Sequence, residues 1–131
     1  MIHIKNLRII IAGGRDFDNY VLLKSSVNKI IESLMTSSER IEIVSGRAKG
    51  ADRLGEQYAN EVGYPIAYFS ADWGNLGKRA GYVRNRGMAK YAMSDGNIGM
   101  LIAFWDGKSK GTKHMIDLAN RYGLVAHVVN F

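Results

Sequence analysis

Four short stretches of this chain gather glycines, basic residues, hydroxyls and carboxylates at spacings that suit an anionic ligand. Gly13-Gly14-Arg15-Asp16-Phe17 sets two glycines, which let backbone approach a ligand closely, before Arg15 and Asp16. The arginine can grip a phosphate through two parallel hydrogen bonds, and the aspartate could accept from a ribose hydroxyl or act as a general base. Ser45-Gly46-Arg47-Ala48-Lys49-Gly50-Ala51-Asp52 adds a hydroxyl, two glycines, Arg47 and Lys49. At a strand-to-helix turn, the N–H groups of such a loop and the positive helix end would converge on a phosphate or carboxylate. Asp72-Trp73 precedes Gly77-Lys78-Arg79-Ala80-Gly81 and Arg84-Asn85-Arg86-Gly87-Met88; Trp73 could stack on a base or ribose, and Arg84 could reach back toward the loop before it. The fourth stretch is Trp105-Asp106-Gly107-Lys108-Ser109-Lys110-Gly111-Thr112, in which Thr112 could cap a helix or bind phosphate, since one hydroxyl position serves both.

Each stretch also has a plainer reading. The first is equally a tight turn with a surface Arg15–Asp16 pair, and Asp52 in a first helical turn is ordinarily a dipole-complementing cap. Trp73 could be a packing anchor. Helical basic residues usually form a solvated face, which leaves uncharged Asn85 less well explained. His114 reads as a surface residue, and His3 and His127 as structural. Two familiar phosphate motifs are absent. Gly50 is followed by Ala51-Asp52 where a Walker A loop has Lys-Ser/Thr, and no G-x-G-x-x-G dinucleotide fingerprint occurs.

The elements that must position these stretches follow from hydrophobic periodicity. Leu7–Ala12, Ile41–Val44, Ile66–Phe69, Ile98–Phe104 and Leu124–Val129 are apolar runs of strand length. Between them lie helical patterns: about Tyr20 to Met35, with Leu23, Val27, Ile30 and Leu34 on one face and Thr36-Ser37-Ser38 closing it; a second with Leu54, Tyr58 and Val62; a third of about Lys78 to Ala92, with Ala80, Val83, Gly87 and Tyr91, after a loop from Ser70 to Gly77; and a fourth with Met115, Leu118, Ala119 and Tyr122. Gly63 and Gly123 are suited to left-handed caps, and Pro65 lies just past the first of them. Strand and helix alternating four times before a last strand predict an α/β, Rossmann-like single domain: a mostly parallel five-stranded sheet with helices on both faces. In a parallel sheet every strand-to-helix loop emerges at one edge, the carboxyl edge, where open α/β sheets bind ligands. All four stretches would meet there.

Composition narrows the partners. The chain has 131 residues and 47% hydrophobic content, enough for one domain burying about two thirds of its unfolded surface. It has no cysteine, so disulfides and thiolate metal sites are excluded, and three scattered histidines give no zinc pattern. No metal site and no required cofactor is expected. Neither a membrane-spanning run nor a signal-peptide pattern is present, so the expectation is a cytoplasmic protein with no membrane partner. Eighteen basic against twelve acidic residues leave a net charge of +6, and most of the excess falls in or just after the four loops. Small phosphorylated molecules are the partners this placement favours. The pI of about 9.7 with Trp73 and Trp105 keeps single-stranded nucleic acid as a third alternative.

In combination these motifs resemble the SLOG superfamily of Rossmann-like nucleotide binders, which includes DprA/Smf and the LOG phosphoribohydrolases, and within it the small YspA-type, YpsA-related branch common in bacteria and phages. The residues carrying the likeness are Gly13-Gly14-Arg15-Asp16-Phe17, Ser45 through Asp52, Asp72-Trp73 with Gly77-Lys78, Ala80-Gly81 and Arg84-Asn85-x-x-Met88, and Phe104-Trp105-Asp106-Gly107 with Ser109-Lys110-Gly111-Thr112. The resemblance implies a nucleotide, nucleotide sugar or NAD-derived ligand at the strand ends, and it often goes with dimers or larger homo-oligomers. It implies catalysis less directly. LOG enzymes cleave the N-glycosidic bond of nucleoside monophosphates with Arg-Lys-x-x-Met and Gly-Gly-x-Gly-Thr-x-x-Glu motifs. Here Asn85 replaces the lysine, and Lys113-His114-Met115 follows Gly111-Thr112 with no glutamate. A phosphoribohydrolase would need another carboxylate, which only Asp16, Asp52, Asp72 or Asp106 could supply, with Asp16 and Asp52 the catalytic candidates. The ligand-binding set expected from these readings is Gly13, Gly14, Arg15, Asp16, Ser45, Gly46, Arg47, Gly50, Ala51, Asp52, Trp73, Lys78, Arg84, Asn85, Asp106, Ser109, Gly111 and Thr112, with Arg15, Arg47, Lys78 and Arg84 on phosphate.

Overall fold

A computed structural model describes residues 5–34 and 39–131. Five strands alternate with helices: β1 (Lys5–Gly13), α1 (Tyr20–Leu34), β2 (Glu39–Ser45), α2 (Ala51–Val62), β3 (Ile66–Tyr68), α3 (Trp73–Leu76), α4 (Ala80–Met93), β4 (Ile98–Trp105), α5 (Lys110–Tyr122) and β5 (Val125–Asn130). The sheet order is β3-β2-β1-β4-β5, and every neighbouring pair is parallel, so the sheet is wholly and not just mostly parallel. The expected single-domain Rossmann-like α/β architecture is the one observed.

Alternation along β1 divides the core in two. Leu7, Ile9 and Ile11 point to one face, where they meet Leu23, Val27 and Ile31 of α1 and Tyr58 and Ala59 of α2. Ile10 and Ala12 point to the other, against Met88, Ala89 and Ala92 of α4 and Met115, Leu118 and Ala119 of α5. Helices therefore cover both faces of a sheet whose central strands are buried on each side. Burying each large aliphatic side chain in these layers contributes about 1.5–3 kcal/mol. Left-handed Gly63 and Gly123 end α2 and α5 as the sequence predicts.

Several local expectations are corrected. The inner stripe of α1 runs through Ile31, with Leu34 41% exposed. Met35, where the periodicity ends this helix, and Thr36-Ser37-Ser38 lie outside the described residues, as does His3. On α2 the buried stripe is Ala51, Gly55, Tyr58 and Ala59, while Val62 is exposed. Small residues make that stripe because α2 lies tight on β1: a Cβ on Gly55 would sit 2.8 Å from Ile11 Cγ2. The third long helix starts at Ala80 and buries Asn85, Met88, Ala89 and Ala92; Val83 faces outward. Within the stretch read as a loop from Ser70 to Gly77, α3 forms with Asp72 as its N-cap, the carboxylate accepting from the Asn75 N–H. One turn of helix is too short to show apolar periodicity. Among the described residues no helix is long and apolar enough to cross a membrane.

Candidate functional site

The chain leaves β1 toward β2 on one side and returns to β4 on the other, so the loops after β1 and β4 diverge above a crevice between those strands. Open α/β sheets place ligands at such a switch point. Backbone bonds lock the loops around it. Gly14 donates to Phe104 O (3.0 Å), and Ala51 donates to Gly14 O (3.2 Å). Gly50 makes the second contact possible: its φ is 88°, and a Cβ there would lie 2.3 Å from Gly14 O. Phe17 anchors the first loop by stacking on Phe104 with ring centroids 4.8 Å apart.

The loop from Ser45 to Asp52 turns much of its polar inventory inward. The Arg47 N–H donates to Ser45 Oγ (3.1 Å), the Ala48 N–H to Asp52 Oδ2 (3.1 Å), and the Ala51 N–H to Gly14 as above. Three amides that a phosphate cradle would aim outward are thus already engaged. Ser45 is buried, and its hydroxyl donates to Glu56 Oε2 at 2.6 Å. Glu56 also holds the Arg47 guanidinium, with Nε 3.4 Å from Oε2 and Nη2 3.4 Å from Oε1, while the guanidinium lies over the Tyr68 ring at 4.4 Å. Arg47 has a left-handed φ of 61°, uncommon for a side-chain-bearing residue.

Asp52 does not cap α2. The N-cap is Gly50, without a side-chain bond, and Asp52 is a buried carboxylate beneath the loop. Burial pushes its pKa up to about 6, against the opposing pull of the Ala48 N–H and the nearby Arg84 charge. Arg84 comes over from α4. Its Nη1 donates to Gly46 O (3.1 Å), and Nε and Nη2 both reach Asn85 Oδ1 (3.3 Å each). Burial lowers the Arg84 pKa; Asp52 counters this, and the Arg15 charge adds to it. Gly46 fits beneath this pair, since a Cβ there would lie 2.9 Å from Asp52 Oδ2 and 3.0 Å from Arg84 Nε.

Asn85, almost fully buried, joins α4 to the start of α5. Its Nδ2 donates to Gly111 O (3.3 Å) and lies 3.2 Å from His114 Nδ1. Burial, then Arg86, lowers the His114 pKa, so the ring is neutral at pH 7 and Nδ1 can accept. Ser109, not Thr112, caps α5: Ser109 Oγ accepts the Thr112 N–H at 3.4 Å and lies 3.1 Å from Thr112 Oγ1. Asp106 Oδ1 accepts the N–H groups of Ser109 and Lys108 at 2.8 Å each, and these bonds hold its pKa below the usual carboxylate value.

Two cavities share a wall made of Arg15, Ala48 and Arg84. The inner one, about 360 Å³, has an apolar floor of Ala12, Met88 and Met115, the Phe131 ring at its side, and Gly13, Gly14, Asp16, Asp52, Asn85, Asp106, Ser109, Gly111 and Thr112 around it. The outer one, about 570 Å³, is lined by Gly46, Arg47, Lys49, Arg53, Ser70, Ala71 and Trp73 besides the shared wall. Among the described residues Arg15 has no carboxylate within ion-pair distance, and its guanidinium carbon is 5.8 Å from the centre of the Trp73 ring. Lys78 lines neither, but it borders an adjoining recess of about 180 Å³ together with Arg15, Trp73, Tyr82, Arg84 and Asn85. Ser45 and Ala51 line neither cavity and act as internal braces, and Gly50 borders only a shallow groove near Leu54. Glu56 and Phe131 are not singled out by the sequence, and His114, expected at the surface, is half-buried beside Asn85. Glu56, four residues beyond Asp52, could have been found as a second carboxylate on the same face of α2, one turn on.

Fold and site together define a doubly wound α/β protein with an arginine-walled crevice at the carboxyl edge. The chain belongs to the YspA, cpYpsA-related SLOG family, whose model matches residues 7–75. It is also similar to the Gene 61 protein of Mycobacterium phage D29, with 30% identity over 129 residues covering 95% of each chain. No solved structure gives a significant match. The family points to a nucleotide-related binder or enzyme.

Proposed function

We propose that the protein binds a phosphorylated nucleotide-type ligand in this crevice. The observation that carries the reading is the Arg15–Arg84 pair. Two guanidinium groups close enough to depress one's ionisation line a common wall, and a phosphate between them would relieve the repulsion while accepting charge-assisted hydrogen bonds. Inward of that point, Asp16 and Asp52 can accept from ribose hydroxyls, and the floor of Ala12, Met88 and Met115 suits the face of a base or sugar. In this arrangement Trp73 backs the Arg15 guanidinium on the outer side, and Arg47 shapes the loop through Glu56.

Mass spectrometry of small molecules released on denaturing the purified protein would identify the ligand, and titration calorimetry would give its affinity. Arg15→Ala and Arg84→Ala should each weaken binding about tenfold or more, as loss of a charge-assisted pair predicts. Full affinity in both variants would remove the reading. A second reading, a nucleotide N-glycosidase, draws on Asp52: a carboxyl with a pKa near 6 beside the cavity can take up or release a proton near neutral pH. Free base released from a nucleotide panel, and lost with Asp16→Asn or Asp52→Asn, would promote it.

A further inference from the structure

The two cavities differ in charge. Asp16, Asp52 and Asp106 line the inner one, while among the described residues no carboxylate lines the outer one, where Lys49, Arg53 and Arg47 join the shared arginines. Glu56, the carboxylate paired with Arg47, is also spent on Ser45. Lys49 and Arg53 make no ion pair among the described residues; Arg53 Nε is steadied by Arg47 O at 3.1 Å. One phosphate, with at most two negative charges, is matched by Arg15 and Arg84. It leaves Lys49 and Arg53, which on their other side border a groove with Asp16 and Asp18, facing a cavity larger than the one assigned to sugar and base.

We infer that the ligand carries at least two linked phosphates, oriented with its sugar and base in the inner cavity and its phosphate chain running outward between Arg15 and Arg84 to Lys49 and Arg53. This rests on the proposed nucleotide reading and adds to it a direction and a minimum phosphate number. Linked phosphates place their charges a few ångströms apart, the density the outer cavity offers. Single-stranded nucleic acid would instead spread one charge per nucleotide and call for a row of stacking platforms, whereas among the described residues Trp73 is the one aromatic ring lining this cavity.

The test is calorimetric titration of the wild-type protein with the 5′-mono-, di- and triphosphates of adenosine, guanosine, cytidine and uridine, with a deoxythymidine oligonucleotide alongside. In the series that binds, the diphosphate should bind about tenfold more tightly than the monophosphate, the gain expected from added charge-assisted contacts. In a Lys49→Ala, Arg53→Ala double variant that ratio should collapse toward one, and Arg84→Ala should weaken every member. Both replaced side chains are exposed, and a thermal melt verifies folding; Gln at both positions is the alternative pair. Equal affinity along the series, or a ratio that survives the double variant, would overturn the inference while leaving the nucleotide reading in place. An oligonucleotide binding more tightly than every mononucleotide would also overturn it. Binding of no nucleotide in any series would remove both readings.

Discussion

Replacing Asp52 by asparagine tests the electrostatics of the crevice without a ligand. The side chain keeps its shape and can still accept the Ala48 N–H through its carbonyl oxygen. In the native protein the Asp52 pKa is about 6, raised from 3.8 chiefly by burial. The sign follows from proton linkage: between those values the folded state holds a proton the unfolded state has released, so stability falls as pH rises through the window. The full shift of about two units is worth about 3 kcal/mol at 1.36 kcal/mol per unit. Between pH 5 and pH 7.5 the wild type should lose about 1.4 kcal/mol from this one group, and the asparagine variant should lose none of it. Urea unfolding of both proteins at the two pH values isolates the difference, because other titrating groups cancel. Asp52→Asn should therefore gain about 1.4 kcal/mol relative to wild type on going from pH 5 to pH 7.5. A gain that does not grow with pH, or that shrinks, would refute the assignment of Asp52 as a carboxylate held against its solvation.

Gly50→Ala should destabilise the protein by about 2–4 kcal/mol in urea melts, since it combines a left-handed φ with a Cβ driven into Gly14 O. Gly111→Ala, on helix α5 with open space around its Cβ, should instead be neutral or stabilising by up to about 1 kcal/mol in the same assay. Asn85→Leu, which leaves Gly111 O and the Arg84 guanidinium short of a buried partner, should cost about 1–3 kcal/mol and weaken ligand binding in calorimetry.

The β-branched run in β1, the glycine caps at Gly63 and Gly123, and the alternation of strands with helices are local signals, and they sufficed for a parallel α/β sheet with its loops on one edge. What they could not convey is how polar groups divide their bonds once the loops meet. Ser45 and Arg47 have the residue types of phosphate ligands, yet Glu56 takes both side chains, because α2 packs through alanine and glycine and so brings that turn within reach. Asp52 has the position of a cap and becomes a buried acceptor for the same reason. On α4 Ala80 is buried and Tyr91 packs against the core as its periodicity predicts, but Val83 faces outward and polar Asn85 takes the buried face, where its amide ties Arg84 to α5. Arg15 is the reverse case: its side chain is exposed, and sequence and geometry agree on placing it at the crevice.

The amides of Arg47, Ala48 and Ala51 have consequences for kinetics. Because each already has a partner within the chain, the loop holds its shape before anything arrives, and association carries little ordering entropy. Capture should then be a rapid, salt-sensitive, single-step encounter drawn in by the arginines, and the lifetime of the complex, more than its rate of formation, should distinguish one ligand from another.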